Sequence, residues 1–212
     1  MLLDTNVLPL LPVPPDLILN FAEIVSNVDW TLPEFNRNGD KLPSRTVIIP
    51  YGCRPEPFQQ DTEVVLRIRK GVEPISAWLQ DQYPEYVLFK GEINYISPNS
   101  TIPFHVDPCW FHAHARRIHI PITTQPGSVW LQHGQATHMP VGMCYEVNNV
   151  ELHSFSQQSD QGRVHVIVDI IKKDVYQQAI KDGIDVNSVI TDSQACSAEK
   201  MLSTQYKFLF DK

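Results

Sequence analysis

The hydrophobic rhythm of this chain changes near Glu85. Before that point, apolar residues recur at spacings of three and four. Pro14-Pro15-Asp16 followed by Leu17, Ile18, Phe21, Ile24 and Val25 predicts a helix opened by proline. Ile75, Trp78 and Leu79 predict a second helix from Glu73 to about Gln82, stopped by Pro84. Beyond Glu85 the apolar runs shorten. Tyr86-Val87-Leu88-Phe89, Glu92-Ile93-Asn94-Tyr95-Ile96 and Thr101-Ile102-Pro103-Phe104 predict strands, with a turn at Pro98-Asn99. Arg117 to Ile122 and Arg163 to Asp169 alternate polar and apolar, the period of strands whose branched side chains face one way. Ser128 to Leu131, Met143 to Val147 and Val150 to Ser154 complete the series, and Asn148-Asn149 suits a tight hairpin turn between the last two. A last helix is expected near Asp174 to Lys181, ending at Gly183, with Tyr206 to Phe210 as a late edge strand.

Seven or eight short strands preceded by helices predict a mainly β fold, a sandwich or distorted jelly roll with helices packed on one side. One domain over residues 1–212 is expected: a helical and irregular support region to residue 84, a strand core over 85–171, and a helix and tail from 172. Composition agrees, with 42% apolar and 19% charged residues and seventeen prolines against nine glycines. A net charge of −7 disfavours a nucleic-acid binder. The small basic cluster Arg67, Arg69 and Lys70 reads as solvated surface. Cys53, Cys109, Cys144 and Cys196 form no Cys-x-x-Cys pair, so four free thiols in a reducing cytoplasm are expected. Neither a secretory signal nor a membrane span is signalled.

All eight histidines fall between His105 and His165. His105 and Asp107 flank one residue, so on extended backbone both side chains point to the same face and can chelate one ion. A third ligand must come from a distant strand, and His153 stands on a predicted strand of its own. Two imidazoles and a carboxylate are the ligand types of the facial triad that holds non-haem Fe(II) and leaves positions open. Arg163 follows His153 by ten residues, with Ser159-Asp160-Gln161-Gly162 as a turn between them. A hairpin of that length places its guanidinium on the neighbouring strand beside the ligand, where a planar fork matches a carboxylate. His112, His114, His133 and His138 read as loop or surface residues, and His165 as an outward residue of its strand.

These residues resemble a known family. NYISPNSTIPFHVD, RRIHIPITT and HMPVGMCYEVNNVELHSFSQQSDQGRVHVIVDI, between Ile93 and Ile170, resemble the aspartyl/asparaginyl β-hydroxylase-like branch of the Fe(II)/2-oxoglutarate-dependent oxygenases. The resemblance implies a double-stranded β-helix, cupin-like in form. It implies Fe(II), 2-oxoglutarate and dioxygen as the reacting set, with release of succinate and carbon dioxide. By position, His105, Asp107 and His153 would be the iron ligands, and Arg163 would pair with the distal carboxylate of 2-oxoglutarate. His119 and Asn94 would lie near the co-substrate, and Arg117 would meet the carboxylate of the prime substrate. That substrate would be a small amino acid or an aspartyl or asparaginyl residue of a peptide. The alternative keeps the fold without 2-oxoglutarate: a cupin-like protein holding zinc, nickel or manganese through the same ligands plus His114 or His119. It would act as an isomerase or hydrolase, or bind a small acid. Arg163 separates the two readings, because without a diacid its charge lacks an evident partner.

Overall fold

A computed structural model describes residues 7–36, 43–52, 59–107 and 110–184, apart from the side chains of residues 110 and 113. Among these residues the chain runs β1 (Val7–Pro12), α1 (Pro15–Ser26), a 3-10 turn (Pro33–Phe35), β2 (Ser44–Ile49) and α2 (Glu63–Gln82). It continues through β3 (Tyr86–Ile96), β4 (Ser100–His105), α3 (Trp110–His114), β5 (Ala115–Thr123), β6 (Ser128–Gln132) and β7 (Gln135–His138). β8 (Met143–Val147), β9 (His153–Gln157), β10 (Arg163–Lys172) and α4 (Lys173–Lys181) complete it. The late strand expected near Tyr206 lies outside the described residues, as do Cys53, Cys109 and Cys196; Cys144 is a buried free thiol.

Two antiparallel sheets form the body. One has the order β1-β8-β5-β10-β3-β2, the other β4-β9-β6-β7. From β3 onward the chain passes back and forth between them, which is the winding of a double-stranded β-helix and gives the mainly β architecture expected. The sheets face each other across an interior in which Ile96, Trp130, Met139, Tyr145, Val147 and Phe155 pack together.

The outer face of the larger sheet carries the main apolar core. Ile118, Ile120 and Ile122 of β5, and Val164, Val166, Val168 and Ile170 of β10, pack there under α1 and α2. In α1, Ile18, Phe21 and Val25 are buried at helical spacing behind Pro15 in the first turn. In α2 the buried set is Val65, Ile68, Val72, Ile75, Ser76 and Leu79, and the Thr62 side chain caps the Val65 N–H. A side chain on Gly71 would collide with Ile24 of α1, so glycine there lets the helices approach. No helix among the described residues is long and apolar enough to cross a membrane.

Several expectations are corrected by this fold. α2 begins at Glu63, ten residues before the expected start, and Pro74 sits inside the helix. The forfeited hydrogen bond is offset by the helix's buried face. Tyr86–Ile96 is one strand, with its register broken opposite Asp169 and Ile170, where Phe89 is the extra residue. β9 begins at His153, and Asn148-Asn149 is a crossing between sheets instead of a hairpin turn, since β8 and β9 lie in different sheets. The same holds for β9 and β10: Arg163 reaches the interior from the facing sheet and not from a hairpin partner. Arg69 is largely buried, its Nε donating to the Ile48 carbonyl and its Nη1 paired with Asp61, so this member of the basic cluster ties α2 to β2. The region before residue 84 also contributes β1 and β2 to the edges of the large sheet.

Candidate metal centre

The small sheet brings two of the expected ligands together. His153 at the start of β9 is directly paired with His105 at the end of β4, and their rings lie 4.3 Å apart between centroids. Asp107 follows β4, and its backbone N–H donates to the Asn149 carbonyl at 3.1 Å. One ligand atom from each of His105, Asp107 and His153 lies within 4.8 Å of the others. His105, the last residue of β4, and Asp107, which lies just beyond the strand, are thus close to His153.

Hydrogen bonds prepare these groups for an ion. His105 Nδ1 lies 2.8 Å from the Pro103 carbonyl, and His153 Nδ1 lies 2.8 Å from the Glu151 carbonyl. A carbonyl only accepts, so both imidazoles donate from Nδ1, which leaves Nε2 as the nitrogen that can face an ion. Burial holds His153 down at about 4, which keeps it neutral at pH 7. Trp130 stacks on the His153 ring at 4.3 Å and 10° and limits its rotation. Asp107 Oδ2 accepts from Arg117 Nη1 and from Asn149 Nδ2 at 3.1 Å, while Oδ1 stands 3.7 Å from His105 Nε2. Burial opposes the Asp107 charge, but the Arg117 guanidinium outweighs it and holds the carboxyl well below the usual carboxylate range.

Arg117 was expected at a substrate carboxylate, and its donors are taken within the protein. Nε and Nη2 bind Asp169 at 2.9 and 3.0 Å, Nη1 binds Asp107, and Nη2 is 2.8 Å from His112 Nε2. His112 is thus a buried acceptor and not a surface residue; burial and then Arg117 pull it to about 4. His112, Asn149 and Asp169 were not anticipated at the site. Asp169 carried a signal, since it shares the alternation of Arg163 along β10.

Further along the interior, Arg163 is 2% exposed and has no carboxylate partner among the described residues. Its guanidinium lies over the Phe155 ring at 4.0 Å, its Nη1 donates to Asn94 Oδ1 at 3.1 Å, and its Nε is buried without a partner. Burial draws it down to about 9, still protonated at pH 7. His119 and His165 stand nearby with Nδ1 atoms 3.4 Å apart, and each has a buried Nε2 without a partner. His165 is therefore an inward residue, correcting the expectation. The apolar alternates of β10 face the helix-covered core and the polar ones face the barrel interior, the reverse of a strand with one wet face.

The orphaned Nε–H of Arg163 and the two Nε2 atoms beside Asp107 fit an anionic diacid and a divalent ion respectively. Residues 76–173 match the family model described as aspartyl/asparaginyl beta-hydroxylase. Among curated proteins none matches this chain in sequence. Solved structures with likeness include an oxidoreductase of the 2OG-Fe(II) oxygenase family from Burkholderia pseudomallei, at 12% identity over 73% of this chain and 89% of that one, TM-score 0.43. A Pseudomonas putida prolyl-4-hydroxylase is 11% identical over 80% and 94%, TM-score 0.49. A Trichoplax adhaerens prolyl hydroxylase, solved with a hypoxia inducible factor peptide fragment, is 9% identical over 83% and 88%, TM-score 0.49. The fold assignment rests on the strand order above, and the family match spans every residue of the candidate site. Over residues 76–173 this chain is therefore similar to the aspartyl/asparaginyl beta-hydroxylase family.

Proposed function

We propose that this protein is an Fe(II)- and 2-oxoglutarate-dependent dioxygenase that hydroxylates an amino acid or an aspartyl or asparaginyl residue of a peptide. The observation that carries the proposal is the pairing of a three-ligand cluster, His105, Asp107 and His153, with a buried arginine in the same interior that has no carboxylate partner among the described residues. His105 and His153 would hold the ion through Nε2 and Asp107 through Oδ1. Iron with the 2-oxo acid and dioxygen supplies the oxidation, leaving succinate, carbon dioxide and a hydroxylated substrate.

The residues do the positioning. Asn94 Oδ1 orients the Arg163 guanidinium, which leaves Nε to grip the distal carboxylate. Arg117 and Asn149 keep Asp107 from turning its second oxygen to the ion. Trp130 and Phe155 line the interior with apolar surface, which strengthens every charge interaction there. Charge balance agrees. The interior holds Lys90, Arg117 and Arg163 against Glu92, Asp107 and Asp169, so a divalent cation and a dianion enter together without net charge.

The cupin-like alternative without a diacid leaves Arg163 unpaired, and no observation favours it. The proposal is tested by adding 2-oxoglutarate to the anaerobic Fe(II) protein and recording the visible spectrum, then assaying succinate release over a panel of amino acids and peptides. Absence of both a charge-transfer band and any succinate would end it.

A further inference from the structure

We propose that His165 is a second recognition group for the 2-oxo diacid, donating from Nε2 to the distal carboxylate beside Arg163. This rests on the 2-oxoglutarate reading above and names a residue that neither the family motifs nor the sequence expectation assigned to the site.

His165 and Arg163 project from the same face of β10, two residues apart. His165 is paired across the ladder with Asn94, and Asn94 is the residue that Arg163 Nη1 reaches at 3.1 Å. Phe155 supports both from the facing sheet: its ring lies 4.0 Å under the guanidinium and meets the His165 ring edge-on at 6.5 Å. The imidazole and the guanidinium therefore converge at one level of the barrel. His165 is 1% exposed, and its Nε2 has no partner. A buried polar atom left unpaired is costly, so the site is complete only when a ligand supplies the missing group.

The chemistry of the pair restricts that group. His119 and His165 meet Nδ1 to Nδ1 at 3.4 Å. Burial first, and then the charge of Arg163, pulls both well below the ordinary histidine value, so both are neutral at pH 7. Two neutral imidazoles joined in this way hold opposite tautomers. One Nε2 carries hydrogen and the other a lone pair. A carboxylate on Arg163 needs a donor from its neighbour, which assigns the Nε2 hydrogen to His165 and the Nδ1 hydrogen to His119. His165 thus adds a neutral hydrogen bond to the charge of Arg163 and helps fix the depth at which the diacid sits, hence its chain length.

Two substitutions of one position test this. His165→Asn keeps an amide near Nδ1 for His119 but leaves nothing at Nε2. His165→Gln places an amide nitrogen where Nε2 stands. The anaerobic Fe(II) protein is titrated with 2-oxoglutarate and with its one-carbon-longer homologue, and the dissociation constant is read from the visible band. Circular dichroism and Fe(II) affinity are recorded alongside. The inference expects wild-type Fe(II) affinity in both variants, about tenfold or greater weakening of 2-oxoglutarate binding in His165→Asn, near-wild-type binding in His165→Gln, and a smaller preference for 2-oxoglutarate over the longer diacid in His165→Asn. Equal binding by wild type and His165→Asn, or equal weakening in the two variants, overturns it. If either variant does not fold, nitrogen-15 spectra of labelled wild-type histidines decide: His165 must be the Nε2–H tautomer in the 2-oxoglutarate complex, and the opposite tautomer overturns the assignment. A wild-type protein that shows no band overturns the parent reading instead.

Discussion

Arg117 holds Asp107 by a single oxygen. Its Nη1 donates to Oδ2, which Asn149 Nδ2 also reaches at 3.1 Å, so Oδ1 is the atom left to face His105 Nε2 at 3.7 Å. Arg117 is in turn clamped by Asp169 through Nε and Nη2. A carboxylate, a guanidinium and a second carboxylate form one buried line that ends at the candidate metal ligand.

Arg117→Met is therefore expected to act on the metal and the fold, and not on the prime substrate first. Loss of a group that orients a metal ligand costs about 10–100-fold in metal affinity. Asp169, 1% exposed, is left without its bidentate partner, which costs about 3–5 kcal/mol of stability. Co(II) titration and urea unfolding measure the two effects. A variant with wild-type metal affinity and stability but a raised KM for the prime substrate would return Arg117 to the substrate-carboxylate role first expected.

Which face a strand buries decides what its sequence pattern reveals. The His-x-Asp spacing was readable because it needs only the two-residue period of a strand. The same period puts Arg163, His165 and Asp169 on one face, yet only Arg163 is read as pointing inward from the sequence. In this fold the apolar alternates lie under helices and the polar alternates line the barrel, so His165 was assigned outward although it is 1% exposed. Connections between sheets were also hidden: Asn148-Asn149 has turn chemistry, yet Asn149 serves Asp107 across the site. His112 and Asn149 carry no periodic signal, since their partners are distant in sequence and meet only through the winding of the sheets.

Arg163→Met should separate stability from function. The native cation is buried with no carboxylate partner among the described residues, a cost that methionine of similar length removes. The metal-free variant is expected to melt at a higher temperature than wild type, while 2-oxoglutarate binding falls by about 100-fold or more. A lower melting temperature together with unchanged binding would mean that Arg163 is a structural residue.

Acid should unfold the metal-free protein by way of its buried histidines. Burial first, then Arg117, lowers His112 from 6.5 to about 4, while burial and then Arg163 take His119 and His165 well below 6.5. Each stays neutral in the folded state and gains a proton in the unfolded chain below about 6.5, so the unfolded state binds more protons. Stability is full above that pH and falls as pH drops towards 4, by as much as about 1.4 kcal/mol per unit for each histidine. Asp107, held below its ordinary 3.8, adds a further loss under that pH. Melting temperature from pH 7.5 to 4.5 checks the slope; a flat profile would contradict the assigned neutral states.

His153→Ala should remove iron-dependent succinate formation altogether. The ligand comes from a strand distant in sequence from the other two, and nothing else on β9 offers an imidazole. Undiminished turnover would exclude His153 from the centre.

The most direct measurement is the visible spectrum of the anaerobic Fe(II) protein on addition of 2-oxoglutarate. A saturable metal-to-ligand charge-transfer band is expected with one equivalent bound, absent in His153→Ala and shifted to higher 2-oxoglutarate concentration in Arg163→Met. A protein that binds Fe(II) and 2-oxoglutarate without such a band, or binds neither, would contradict the proposed function.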